Sequence, residues 1–286
     1  MWITLGNIID GKAIAAKIKA EIKKEAEAYK NERGIPPKLS VILVGDNPAS
    51  QAYVRGKERA CAEVGIASET LRFPSNTEEK RLVKEVERLN KDKTVHGILV
   101  QLPLPQGIDA HNVLETVSVE KDVDGLHPYN MGKLFKNENP MFIPCTPQGA
   151  IELILSTGAE IRGKKAVIIG RSNLVGKPTS MLLLYRHATV TICHTRTVNL
   201  PDITREADIL VAAAGRPRTI TKDMVKPGAI VIDVGISRTD SGLVGDVDFE
   251  DVKDRAGFIT PVPKGVGPMT VAMLLKNTLK AAQATS

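Results

Sequence analysis

Residues 165–178 read KAVIIGRSNLVGKP, and this stretch decides the fold of the second half of the chain. A short apolar run, Ala166 to Ile169, stops at Gly170; Arg171 and Ser172 follow, and Gly176 and Pro178 open a helix. A strand, a tight glycine turn and a helix N-terminus together form a phosphate cradle, because free backbone N–H groups and the helix dipole favour an anion. The common dinucleotide fingerprint is G-x-G-x-x-G. Here Ser172 stands in the middle glycine's place and the last glycine comes one residue late. Taken alone, the turn is equally compatible with an ordinary strand–turn–helix.

The next strand adds weight. Ala188 to Cys193 is apolar and ends in His194, Thr195, Arg196 and Thr197. An NAD site places an acidic residue roughly 20 residues past the turn to hold the ribose hydroxyl, whereas an NADP site uses arginine there. No acid stands at this strand end. Arg171 and Arg196 fall where they would flank a 2′-phosphate, with Thr195 and Thr197 offering hydroxyls. The alternative is that both arginines are solvated loop charges. Two arginines at the two expected positions favour NADP.

A chain of 286 residues is long enough for two domains. With 42% hydrophobic and 25% charged residues, it has the balance of a soluble globular protein. The net charge of +6 is scattered without a block of one sign, which suits anionic small ligands better than a nucleic-acid surface. Aromatic residues make up only 3%, too few for the stacking platforms of single-strand binders. Cys61, Cys145 and Cys193 show no C-x-x-C spacing, so reduced thiols are expected, with no disulfide frame and no metal site. No signal peptide is evident, and no run approaches the ~20 apolar residues of a membrane helix. The expectation is a cytoplasmic protein that binds neither membrane nor nucleic acid.

Strands and helices alternate along the chain, which predicts a parallel sheet covered on both faces. In the first half the pattern gives a helix over 11–33, strands at Leu39 to Val44, Ala67 to Phe73 and Gly97 to Leu102, and helices at Ser50 to Val64 and Thr77 to Asn90. Asp122 to Pro147 reads as irregular, with a helix from Gln148 to Thr157 leading into the second half. Strands follow at 166–170, 188–193, 208–213, 229–234 and 257–260, and a last helix from Met269 to Ala282. Such a helix often packs back on the first domain. The expected division is therefore 1–146 with 268–286, and 147–267.

Four pieces carry chemistry. In SQAYVRGKERA, Ser50, Tyr53 and Lys57 share one helix face. A helical lysine is usually a solvated charge, but a tyrosine one turn before it at the mouth of an α/β sheet points to a site. In GILVQLPLP, Gln101 closes a strand at its carboxyl end, where open α/β sheets bind ligands, although a polar strand terminator is the commoner case. KDVDGLHP holds Asp122 and Asp124 before a glycine, which alone is turn chemistry. TPVPKGVGPMT (260–270) is too rich in proline and glycine for regular structure and looks like a rigid loop over a ligand.

Together these pieces resemble the bifunctional methylenetetrahydrofolate dehydrogenase/cyclohydrolase family. The ordered motifs are S-x-x-Y-V-x-x-K, G-I-L-V-Q-L-P-L-P, K-D-V-D-G, P-C-T-P-x-G at 144–149, G-R-S-x-x-V-G-x-P and D-V-G-I at 233–236. One departure is visible: the family loop usually reads P-G-G-V-G-P-M-T, and here Lys264 replaces the first glycine of the pair. The sequence leaves open whether its ammonium meets the glutamate tail of folate or only solvent.

The resemblance implies an α/β fold of two domains, an N-terminal substrate domain and a Rossmann-type NADP-binding domain, with the active site in the cleft between them. It implies that 5,10-methylenetetrahydrofolate is oxidised with NADP to the 5,10-methenyl compound, which is then hydrolysed to 10-formyltetrahydrofolate. Lys57 would shuttle the proton of the second step, Gln101 would orient it, Tyr53 would stack on the pterin and Asp124 would accept hydrogen bonds from its amino group. Ser50, Val100, Leu102, Pro263, Gly265, Val266 and Gly267 would complete the folate contacts. Gly170, Arg171, Ser172, Gly176, Thr195, Arg196, Thr197 and Ile236 would hold the dinucleotide. No metal is implied, and a homodimer is. The rivals are a monofunctional dehydrogenase and a nucleotide-sensing protein without turnover. The presence of Lys57, Gln101 and Asp124 argues against the first, and the second would be expected to erode the polar residues of the first half, which are intact.

Overall fold

The computed structural model describes residues 6–240 and 242–285. β1 (Asn7–Ile8) leads into α1 (Gly11–Arg33), followed by β2 (Lys38–Val44), α2 (Pro48–Val64), β3 (Ala67–Phe73), α3 (Glu79–Lys91), β4 (Gly97–Val100), α4 (Ala110–Thr116) and α5 (Pro128–Lys136). Next come α6 (Cys145–Ser156), β5 (Lys165–Ile169), α7 (Gly176–Leu184), β6 (Thr189–Cys193), α8 (Leu200–Thr204) and β7 (Ile209–Ala212). The chain ends with β8 (Ile230–Asp233), β9 (Ser237–Thr239), β10 (Gly242–Val244), α9 (Phe249–Val252), β11 (Phe258–Ile259) and α10 (Val266–Ala284). Two compact units result, one of residues 17–143 with 271–285, the other of 6–16 with 144–270.

In the first unit, β2 lies between β3 and β4 in a parallel three-stranded sheet. Six of its seven residues are buried, Ser40 among five apolar ones, as in a strand with both faces covered. Leu82, Val86 and Leu89 line one stripe of α3 and meet Ile42, Val44, Ile98 and Val100 in a single core. α2 starts where the Asn47 side chain accepts the Ala49 and Ser50 N–H groups, with Pro48 in its first turn. It stops at Gly65, whose φ of 77° places it in the left-handed region.

The second unit carries a six-stranded parallel sheet in the order β1-β11-β8-β7-β5-β6. From β5 the chain goes to β6 on one side and then crosses to β7 on the other. That reversal opens a crevice outside the carboxyl ends of β5 and β7.

Three features depart from the sequence reading. Asn7 and Ile8 pair with Phe258 and Ile259, so the N-terminal strand joins the second sheet rather than the first domain. The stretch expected to be irregular contains α5, entered through His127, which accepts the Tyr129 N–H, and Pro128, and left through Asn137 at a φ of 57°. The loop expected over 260–270 gives way at Val266 to α10, which takes Gly267 and Pro268 into its first turn.

Candidate functional site

At the carboxyl end of β4 the Lys57 Nζ donates a hydrogen bond of 2.9 Å to the Gln101 Oε1. The glutamine is fixed from both sides. Its Nε2 donates to the Leu102 carbonyl at 2.7 Å, and its backbone N–H donates to the Ile42 carbonyl on the central strand. With its amide nitrogen engaged, Gln101 presents oxygen to the lysine and so aims the ammonium. On the same face of α2, Ser50 is buried while Tyr53 is 45% exposed.

Asp124 sits half-buried on a loop that Asp122 holds together. The Asp122 carboxylate accepts the Leu126 N–H at 3.0 Å, the His127 N–H at 2.9 Å and the Asn130 Nδ2 at 2.8 Å. Burial pushes the Asp122 carboxyl up to about 6 in spite of these donors. Between the two acids, Val123 is fully buried and its carbonyl accepts the Asn277 Nδ2 at 2.8 Å. The K-D-V-D-G motif therefore has one acid bracing the turn and the other at its tip.

In the second unit the two outer glycines of the fingerprint are required by close backbone approach. Gly170 has a φ of 130°, and a Cβ there would lie 2.2 Å from the Ala213 carbonyl oxygen. A Cβ on Gly176 would lie 2.1 Å from the Gly170 oxygen. Ser172, in the middle position, braces the turn before α7 instead: its Oγ accepts the Val175 N–H at 3.1 Å. A cavity of about 280 Å³ opens here, walled by Gly170, Arg171, Ser172, Thr195, Ala214 and Arg216 among others. A glycine cradle, a helix N-terminus and two arginines fit a phosphorylated dinucleotide.

Of the expected cofactor residues, Gly170, Arg171, Ser172 and Thr195 line this cavity. Arg196 and Thr197 form the adjoining turn. The Arg196 N–H donates to the His194 Nδ1 at 3.1 Å, and the Thr197 Oγ1 accepts the His194 N–H at 2.8 Å. Ile236 lies beyond β8 and is 43% exposed. Arg216 and His194 are wall residues that the sequence reading passed over, although A-G-R-P directly after an apolar strand was a usable signal for Arg216.

The 260–268 segment is clamped onto the start of α1. The Lys12 N–H donates to the Lys264 carbonyl oxygen at 3.0 Å, and a Cβ on Gly11 would meet the Gly265 oxygen at 2.0 Å. Lys264 is exposed and holds a φ of 87°, in the left-handed region that favours glycine. Left-handed backbone costs a residue with a Cβ roughly 1–2 kcal/mol, part of which glycine's freedom in the unfolded chain offsets. Lys264→Gly is therefore expected to raise stability by about 0.5–1 kcal/mol in urea unfolding; an unchanged or lowered midpoint would contradict the strain.

Among the described residues no cluster of three or more His, Cys, Asp or Glu is placed to hold a metal, and no helix is long and apolar enough to cross a membrane. Two family models match the chain. Tetrahydrofolate dehydrogenase/cyclohydrolase, catalytic domain, covers residues 9–124, and the NAD(P)-binding domain of the same family covers 144–286. A bifunctional protein FolD of Moorella thermoacetica is 57% identical over 96% of this chain and 98% of its own length. The crystal structure of bifunctional FolD, methylenetetrahydrofolate dehydrogenase/cyclohydrolase, from Campylobacter jejuni superposes with a TM-score of 0.95 at 50% identity, covering 97% of this chain and 99% of that one. The Trypanosoma brucei methylenetetrahydrofolate dehydrogenase-cyclohydrolase, complexed with NADP cofactor and an inhibitor, gives a TM-score of 0.94 at 42% identity over 98% of each chain.

Proposed function

Because the chain belongs to the tetrahydrofolate dehydrogenase/cyclohydrolase family, we propose a division of roles among the residues described above. The chain is a bifunctional enzyme. It oxidises 5,10-methylenetetrahydrofolate with NADP to the 5,10-methenyl compound, and hydrolyses that compound to 10-formyltetrahydrofolate. NADP supplies the hydride acceptor for the first step. The cation that develops there is stabilised by the nitrogen lone pairs of the folate itself, so the protein's task is to position the reactants.

Hydrolysis makes a different demand. Water adds to the methenyl carbon, a carbon–nitrogen bond opens, the departing ring nitrogen gains a proton and one proton is released overall. Lys57 is proposed as the base that takes the proton from the adding water and returns one to the nitrogen. A lysine does this near neutrality only when desolvation or a cationic neighbour lowers its pKa, and the methenyl substrate is itself a cation. The Lys57–Gln101 hydrogen bond of 2.9 Å is the observation that carries this assignment. Gln101 orients the amine, Tyr53 stacks on the pterin and Asp124 accepts its amino protons. Gly170, Arg171, Ser172, Gly176 and Thr195 hold the dinucleotide, with Arg196 and Ile236 at its margins.

Two assays on the purified protein test the reading. Methylenetetrahydrofolate with NADP should give NADPH, and methenyltetrahydrofolate alone should decay through the protein without any dinucleotide. Steady accumulation of the methenyl compound would assign the chain to the monofunctional dehydrogenase reading instead. We also propose a cytoplasmic homodimer: β3 leaves one edge of its sheet unpaired among the described residues, an edge that proteins ordinarily cover. Light scattering on the eluting protein should give twice the chain mass of 30.9 kDa.

A further inference from the structure

We infer that Asp246 is a positioning residue for dinucleotide binding, acting through the segment Ala214–Arg216; the inference rests on the cofactor reading above. Asp246 follows β10 and is fully buried. Its Oδ2 accepts the Ala214 N–H at 2.6 Å and the Gly215 N–H at 2.9 Å, and its Oδ1 accepts the Arg216 N–H at 2.9 Å. Three successive backbone donors thus converge on one carboxylate. They belong to the segment that leaves β7 at the strand-order reversal, and Ala214 and Arg216 wall the same cavity as Gly170 and Arg171.

The carboxylate is itself held rigidly. The Asp246 N–H donates to the Asp233 Oδ1 at 3.0 Å, and the Asp233 carboxylate also accepts the Gly235 and Val247 N–H groups at 3.0 and 2.9 Å. The two acids are interlocked through two glycines. A Cβ on Gly235 would lie 2.3 Å from the Asp246 Cγ, and one on Gly245 would lie 1.8 Å from the Asp233 Oδ2. D-V-G at 233–235 and G-D at 245–246 are therefore one device, in which each glycine makes room for the other segment's acid.

Burying a carboxylate is costly unless donors answer it. Here the donors that answer Asp246 are the backbone of the cavity wall. What the acid achieves is the shape of that wall: with its N–H groups turned onto Asp246, the segment presents side chains, Arg216 among them, to the cavity. Asp246 does not line the cavity; it fixes the segment that does.

Asp246→Asn retains one acceptor oxygen and turns an amide donor toward a backbone N–H. The expected result is a rise in KM for NADP of about tenfold or more, as small misplacements of binding groups produce. Hydrolysis of added methenyltetrahydrofolate needs no dinucleotide, so its kcat and KM should stay at wild-type values. A purely structural role would instead lower both activities together. Gly215→Val provides the second variant. Gly215 has a φ of 68° with open space where a Cβ would go, so a branched side chain disturbs only the segment's conformation. It should reproduce the same split if Asp246→Asn does not fold. An unchanged KM for NADP, or a parallel loss of both activities in the two variants, overturns the inference. Arg171→Ala in the same assays separates the two levels. A raised KM there with Asp246→Asn unchanged defeats only the role of Asp246, while no change in either defeats the cofactor reading as well.

Discussion

Lys57→Met is expected to lower the hydrolysis of methenyltetrahydrofolate by at least about a hundredfold, because positioned general acid–base groups typically supply 10²–10⁴-fold. Methionine keeps most of the length and the apolar stem of lysine, so α2 and the Tyr53 face should remain and folate should still bind. Only the transferable proton is lost. Gln101 sharpens the expectation. Its Oε1 accepts from Lys57 at 2.9 Å while its Nε2 is tied to the Leu102 carbonyl, so the glutamine is an aiming device and holds no proton of its own to give. Gln101→Glu should therefore alter the pH profile of hydrolysis, since an anion beside the ammonium favours its charged form. A Lys57→Met protein that kept more than about a tenth of the hydrolytic rate would remove the proton shuttle from Lys57.

Much of the candidate site's geometry was legible because it is local in sequence. The Ser50–Tyr53–Lys57 face is set by helical spacing, and Gln101 by its position at the end of an apolar strand. Gly170 and Gly176 were legible because the turn that carries them spans seven residues, although the backbone that crowds Gly170 is that of distant Ala213. What escaped the reading depends on partners distant in the chain. β1 has only two residues in its ladder, too few to carry a periodic signal, and it exists because β11 offers a parallel edge. Asp246 reads as an ordinary turn acid, and only the fold brings the Ala214–Arg216 backbone onto it. α5 was a different kind of miss. His-Pro at its start and Asn at its end are normal boundary signals, and they were outweighed by the glycine- and proline-rich residues around them. Lys264 holds a positive φ that its residue type does not announce, in a segment whose carbonyl is tied to the Lys12 N–H.

Replacing both Arg171 and Arg196 with alanine should raise KM for NADP by about tenfold to a hundredfold and change that for NAD by less than about twofold, since a hydrogen bond to a charged group is worth about 1.5–3 kcal/mol and each 1.4 kcal/mol is tenfold. The two arginines are not expected to contribute equally. Arg171 lines the cavity beside Ser172, whereas Arg196 stands in the neighbouring turn with its backbone N–H on His194. Both side chains are exposed, so salt screens them, and the effect should shrink as ionic strength rises. Arg171→Ala alone should account for most of the loss, and Arg196→Ala for a smaller, strongly salt-dependent part. The comparison with NAD is the decisive control, because it lacks only the 2′-phosphate. A damaged cradle would weaken both dinucleotides, as Gly176→Ala should by driving a Cβ against the Gly170 carbonyl. If the wild-type protein used NAD as readily as NADP, or if the double variant lost both equally, the arginines would be solvated loop charges and the choice of cofactor would have to be read from other residues of the wall.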